Sequence, residues 1–472
     1  MIHVSRPATP LTAAEEYGLD TLLDLSGLLR VDDPSAPVVA LQLTPDPAPL
    51  APLTPPKGGG VGGAAGVVPL PREILTHVTA IAGAGAEQGS AQADRHGRVP
   101  ADANPLVVVG LDRMPLVSQW ARALRTMVQQ AAGARLVRYL VPWPGGRRWA
   151  AAFTHDVDVV SGWPAFTALR LAELVRSGQM RRAGAVAAAA AASVLRAPVW
   201  IGVREVLAME EAHDVHSTWF VLCGRPTPAT WRAGDVTYSI RSRGARRIVA
   251  AVSASGHELG VHGSFATSRT DDAFAKERAA LASVNAAEAI GVRQHFLKMR
   301  PGQTQARMQA AGFSYDATYG FSDRNGFRLG VADVVRGWDA RAGAVTALDE
   351  VPLHWMDRAQ SKYQRVEDPQ AWIDEAADLA ERCKAVGGLW VGLWHPNLTG
   401  PLGFPGAPEA YAELLTRIVG DPTPPVVDTL ERLVDWRRQR RLARARTVRE
   451  NGMVEWLGVP APIEDQEGRA IA

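Results

Sequence analysis

From residue 149 onward, short apolar runs alternate with longer stretches in which apolar residues recur every three to four positions. The runs at 149–156, 217–223, 257–263, 292–297, 315–319, 351–355 and 388–394 have the length of strands. The periodic stretches at 164–195, 203–213, 244–254, 271–287, 303–311, 370–386, 408–419 and 429–446 have the length of helices. Repeated strand-then-helix units imply a parallel sheet, because a crossover helix returns the chain to the same end before the next strand begins. Seven such units close most naturally into a distorted seven-stranded (β/α) barrel, so the expected fold class is α/β. A barrel of this kind carries its chemistry at the carboxyl ends of its strands.

Before residue 149 the pattern is weaker. Runs at 37–43 and 106–111 read as short strands and 117–131 as an amphipathic helix. Between them, 45–66 is too rich in Pro and Gly for regular structure, and its glycine cluster at 58–63 lacks the flanking strand and helix of a phosphate cradle. The chain therefore divides into a small N-terminal α/β region at 1–148, a barrel at 149–446 and a C-terminal tail at 447–472.

Composition narrows the function classes. A 472-residue chain with 47% hydrophobic and 21% charged residues is globular and enzyme-sized. A net charge of +2 implies no general attraction to nucleic acid. The run Arg437, Arg438, Arg440, Arg441, Arg444 and Arg446 reads either as a solvated helix face or as peripheral contact with an anionic membrane surface. Cys223 and Cys383 sit in apolar segments without ligand spacing, as buried thiols of a reducing compartment do. No stretch reaches the roughly 20 apolar residues of a membrane span, and the first residues lack the apolar core of a secretory signal, so a cytoplasmic location is expected.

The candidate chemistry begins where the first apolar run breaks into Thr154-His155-Asp156-Val157-Asp158. Alternation sends Asp156 and Asp158 to one side of the strand and His155 and Val157 to the other. Two carboxylates that close need a cation or a shared proton, the plainer alternative being a turn that caps the next helix. His262, His295 and His395 end the third, fourth and seventh runs, and imidazole with carboxylate is what Zn²⁺ and similar cations accept. His257 precedes the buried part of its run and reads as structural.

In order and spacing, these segments resemble the NodB-type polysaccharide deacetylases of carbohydrate esterase family 4, over about 150–440. Thr154 to Asp158 is similar to the family's first motif, which implies Asp156 as general base and Asp158 as metal ligand. His257-Glu258-Leu259-Gly260-Val261-His262 is similar to the second, with His262 a ligand. Arg293-Gln294-His295-Phe296-Leu297 resembles the Arg-bearing third, which sets Arg293 beside Asp156, and the 312–321 segment resembles the fourth. Leu393-Trp394-His395 resembles the fifth, whose His is the general acid. One departure stands out: the family's second metal-binding His would fall at 266, where this chain has Ala266. His295 is the first candidate to complete the coordination, His155 the second, as in a divergent branch of the family. The resemblance implies a metal-dependent hydrolase, Zn²⁺ foremost, that removes an N-acyl group, chiefly acetyl, from an amino sugar or surface-polysaccharide precursor. Asp316 is expected to orient Arg293 or shape the groove, and Trp338, Trp355 and Trp394 to offer flat faces to a sugar ring. Two rival expectations are an inactive carbohydrate-binding barrel and an amidohydrolase of a small non-sugar amide.

Overall fold

A strand buried at every position is covered on both faces, and Ala150–Val157, here β1, is such a strand. In the computed structural model, which describes residues 3–31, 38–53, 66–133, 137–160, 165–194, 202–448, 454–457 and 459–471, it lies near the middle of the central sheet. The other strands are β2 (Thr218–Leu222), β3 (Glu258–Gly263), β4 (Gly291–Gln294), β5 (Tyr315–Asp316), β6 (Val335–Asp339), β7 (Ala344–Glu350), β8 (Trp355–Met356), β9 (Leu389–Leu393) and β10 (Val426–Val427). Their order is β6-β7-β5-β4-β3-β2-β1-β9-β8, with β10 pairing the first residues of β1. Every pairing is parallel except β6 with β7.

The sheet thus has ten strands among the described residues, not the expected seven, and its order is an open path with β6 and β8 at its ends. The additional strands include the hairpin β6–β7, whose second strand begins with exposed residues and gives no continuous apolar run to read. The expected strand at 351–355 shrinks to β8, because the paired residues lie just before it, in β7. The run 106–111 is not a strand: Asn104 accepts from the Leu106 amide and Pro105 opens a helix at Pro105–Val108. The glycine cluster at 58–63 lies outside the described residues, as do 164 and 195 at the ends of the expected 164–195 helix.

Alternation sorts the sheet into two cores. Ala151, Phe153, Trp219, Val221, Val261, Trp390 and Trp394 face the surrounding helices. Ala150, Ala152, Phe220, Tyr315, Val391 and Leu393 fill the concave side. The N-terminal region has its own parallel sheet, His3–Ser5 with Val38–Thr44 with Val67–Pro71. Its apolar residues share one core with Met299, Tyr319, Leu329 and Val331. The chain's last part also carries strands, Arg444–Val448, which runs into the C-terminal tail and pairs Arg30–Val31, and Ile463–Glu464, which pairs Tyr139–Leu140.

The Arg-rich helix Leu430–Leu442 does not present a free basic face to a membrane. Arg437 pairs with Asp333 at 2.7 Å, and Arg438 and Arg441 with Asp349 at 2.6 and 2.7 Å, while Arg440 is buried and donates to backbone carbonyls. Asp333 and Asp349, brought to the helix from elsewhere in the fold, thus engage three arginines of the run, while Arg444 and Arg446 are exposed. Cys223 and Cys383 are buried free thiols. No helix among the described residues is long and apolar enough to cross a membrane.

Candidate metal centre

Because β1, β3, β4, β8 and β9 run parallel, their carboxyl ends meet at one edge of the sheet. The residues that end them on the concave side are Asp156 and Asp158, His262, Arg293 and His295, Asp357, and His395. Asp158, His262 and His295 offer ligand atoms that all lie within 4.8 Å of one another. Asp158 Oδ1 stands 3.4 Å from His262 Nε2 and 3.4 Å from His295 Nε2. These separations are long for hydrogen bonds. They equal the edge of a tetrahedron, roughly 3.4 Å, whose centre lies the usual 2.0–2.2 Å from nitrogen and carboxylate ligands of Zn²⁺.

Two further observations favour a cation there. His262 Nε2 and Asp158 Oδ1 are buried atoms without a hydrogen-bond partner, a condition that costs about 1–3 kcal/mol for each group. The remaining nitrogen of each imidazole is tied back: His262 Nδ1 donates to the Arg293 carbonyl at 3.0 Å, and His295 Nδ1 meets Asp235 Oδ1 at 3.3 Å. Such partners fix a ligating histidine and leave its Nε2 lone pair free. Burial would raise the Asp158 carboxyl, but His295, His262 and His395 hold it well below its ordinary value. Burial likewise opposes a charged His295, yet Asp158 and Asp235 push it up to about 9. The donor set fits a divalent cation, and its chemistry, two imidazoles and one carboxylate, is that of Zn²⁺.

Asp156 lies beside this cluster, its Oδ2 3.5 Å from His262 Nε2. Arg293, wholly buried, donates from Nη1 to Asp156 Oδ1 at 3.1 Å and to Thr154 Oγ1 at 2.9 Å, while its guanidinium stacks 4.5 Å over the Phe220 ring. His395 faces Asp158 Oδ2 across 3.7 Å through Nε2. Its Nδ1 donates to Asp357 Oδ1 at 2.7 Å, and its backbone amide donates to the other carboxylate oxygen at 2.5 Å. Burial opposes the charged imidazole, but Asp357 outweighs it, with Asp158 and Asp156 adding, so His395 titrates above its ordinary value.

Other expected residues lie elsewhere. His155 points away from the concave side, its Nδ1 on the Trp394 carbonyl and its Nε2 2.9 Å from Glu210 Oε1, so it is no ligand. His257 accepts from the Ser217 amide at Nδ1. Trp394, one residue from His395, faces the helices and packs 5.0 Å from Tyr411 and 6.3 Å from Trp355. Trp338 packs against Tyr17 of the N-terminal region. No contact between Asp316 and Arg293 is present among the described residues; its parity in β5 turns it toward the helix Gln303–Ala310, where it accepts from Gln305, and it also accepts from the Thr318 amide. None of Trp338, Trp355, Trp394 or Asp316 lines the cavity of about 260 Å³ that opens over Asp156, Asp158, His295 and His395. Its walls come instead from Phe166, Phe296, Met356, Arg358, Lys362 and Tyr363, among others. Sequence reasoning missed Asp235, Asp357 and these wall residues. Asp357 alone left a signal, as a polar residue ending the short β8.

No family model matches the chain, and no curated protein does. In fold the chain is similar to polysaccharide deacetylases. A solved structure from Mycobacterium smegmatis, described as a polysaccharide deacetylase, is 22% identical and aligns over 66% of this chain and 97% of its own, with a TM-score of 0.43. The PuuE allantoinase is 14% identical over 63% of this chain and 92% of its own, at 0.42. A structure from Pseudomonas aeruginosa PAO1, also described as a polysaccharide deacetylase, is 14% identical over 65% and 96%, at 0.42.

Proposed function

We propose that the protein is a metal-dependent amide hydrolase that removes an acetyl or similar acyl group from the nitrogen of an amino sugar. The observation that carries this reading is the convergence of Asp158 Oδ1 and His262 Nε2, both buried and unpartnered, with His295 on one point. The motif resemblance of the strand ends supports the same reaction. A divalent cation held by Asp158, His262 and His295 would supply Lewis acidity toward the amide carbonyl and lower the pKa of water beside it.

The remaining steps fall to the chain. Asp156, fixed by Arg293, takes the proton of the water that attacks the carbonyl carbon. His395, kept protonated by Asp357, gives its Nε2 proton to the departing nitrogen as the C–N bond breaks. Acetate and a free amine leave. The bulky wall of Phe296, Met356 and Tyr363 limits water around the reacting group.

Asp156→Asn tests the assignment, with zinc loaded and release of acetate from N-acetylated saccharides measured. Loss of turnover with the fold and metal content intact is the expected result. Unchanged turnover would overturn it, and a purified wild-type protein that retains less than about a tenth of an equivalent of added Zn²⁺ would exclude a working centre of this type.

A further inference from the structure

The 260 Å³ cavity over the metal centre continues into a groove of about 700 Å³, with Arg358 and Lys362 in the walls of both. Charge in this groove is unbalanced. Its two acidic residues are each paired with another arginine of the groove, Glu173 with Arg170 at 2.7 Å and Glu367 with Arg182 at 3.0 Å. Arg358, Lys362 and Arg365, all on one short segment, have no carboxylate within ion-pair distance among the described residues; Arg358 and Lys362 lean on aromatic rings, 5.3 Å from Phe404 and 4.8 Å from Phe296. Arg358 is half-buried and follows Asp357 directly, so its charge stands one residue from the carboxylate that holds His395. Burial disfavours its charged form, with Asp357 and Asp158 opposing that loss.

A guanidinium presents a fork that matches phosphate oxygens, and an ammonium adds a point charge. Three unmatched cations along one wall exceed what a single carboxylate balances and suit two linked phosphates. We infer that the substrate is an acylated amino sugar esterified to a diphosphate, whose phosphate oxygens seat against Arg358 and Lys362 while the sugar occupies the cavity. The inference rests on the hydrolase reading for the sugar half of the substrate, but the anion site stands on its own residues. A diphosphate of this kind belongs either to a nucleotide or to a lipid carrier.

The test compares kcat/KM of the zinc-loaded protein on uridine diphospho-N-acetylglucosamine, on a polyprenyl-diphospho-N-acetylglucosamine in micelles, and on a neutral N-acetylglucosamine trimer. One diphosphate should exceed the neutral trimer by at least about tenfold, and the better of the two identifies the carrier. In Arg358→Gln/Lys362→Gln that ratio should fall by about 10- to 100-fold, mainly through KM. A neutral substrate turned over as well as both diphosphates, or a ratio untouched by the substitutions, overturns the inference. If none of the three is deacetylated, the hydrolase reading fails, and calorimetry with inorganic pyrophosphate decides the anion site alone. Binding that weakens at least about tenfold in the double variant upholds it; absent binding, or binding indifferent to the substitutions, overturns it. Lys362→Gln, at an exposed position, gives the same comparison should the double variant not fold.

Discussion

His295 Nε2 stands 3.4 Å from Asp158 Oδ1, so β4 delivers to the centre a donor that the turn after β3, with the exposed Ala266, cannot. The backbone pays for this. Phe296 and Leu297 have φ of 59° and 50°, two consecutive non-glycine residues in the left-handed region, at a cost on the order of 1–3 kcal/mol each. The kink follows His295 directly, one residue past the end of β4, and leaves that imidazole among the other strand-end residues.

Loss of the His295 donor should be felt first in metal binding. His295→Ala is expected to weaken Zn²⁺ by more than the roughly 10- to 100-fold expected of Asp235→Asn, which keeps the imidazole and removes only the carboxylate on its Nδ1. Competition with a chromophoric chelator measures both. Equal affinity in wild type and His295→Ala would mean that His295 is not a ligand.

Asp357 controls His395 through a 2.7 Å contact. An acid must be protonated to work, so activity falls as pH rises through its pKa, and a partner that raises that pKa moves the alkaline limb to higher pH. Asp357→Asn removes the partner. The alkaline limb of kcat should therefore move to lower pH, with kcat at its maximum down about 10²- to 10⁴-fold. A limb that stays in place would assign the acid to another group.

How far the sequence carried these conclusions depended on strand parity. The apolar run into β1 is continuous, so alternation could be applied to Asp156 and Asp158, and both face the concave side. The same rule, extended to β9, sets Trp394 with Trp390 on the helix side and His395 with Leu393 on the inside. It also turns Asp316 away from Tyr315 in β5. Expecting Trp394 and Asp316 to meet substrate overlooked that consequence. The hairpin β6–β7 and Asp235 lay beyond periodicity of any kind, and Asp357 showed only as a polar residue after a short apolar run. Asp357 meets its histidine across 38 residues and Asp235 across 60, contacts that only the folded sheet creates.

The N-terminal region reaches the site at Phe296, whose ring packs 5.4 Å from His96. Arg98, held by Asp94, donates from Nη1 to the Phe296 carbonyl at 2.7 Å and so braces the strained turn after His295. Arg98→Met keeps the buried aliphatic stem and removes the bond, which should lower stability by about 1–3 kcal/mol in a urea melt. Zinc affinity should fall with it, because the turn positions a donor. A loss of stability with zinc affinity unchanged would confine Arg98 to a packing role.

At the opposite end of the sheet, stability itself should depend on pH through Glu258. Its carboxyl is buried among Tyr315, which donates to Oε1 at 2.5 Å, and Thr218 and the Glu431 amide, which donate to Oε2 at 2.7 and 2.9 Å. Burial outweighs these donors and pushes the group up to about 7. The folded protein therefore holds this proton more tightly than the unfolded chain, whose carboxyl titrates near the ordinary glutamate value of about 4.3. Stability from this group is complete below the unfolded value and is lost as pH rises toward the folded one, at about 1.4 kcal/mol per pH unit. Urea midpoints of the wild type should accordingly fall between pH 5 and pH 7.5. Glu258→Gln, which cannot ionise and retains an acceptor for Tyr315, should flatten that decline; a decline as steep as in the wild type would place its origin in other buried carboxyls such as Glu277, also pushed up to about 7 by burial.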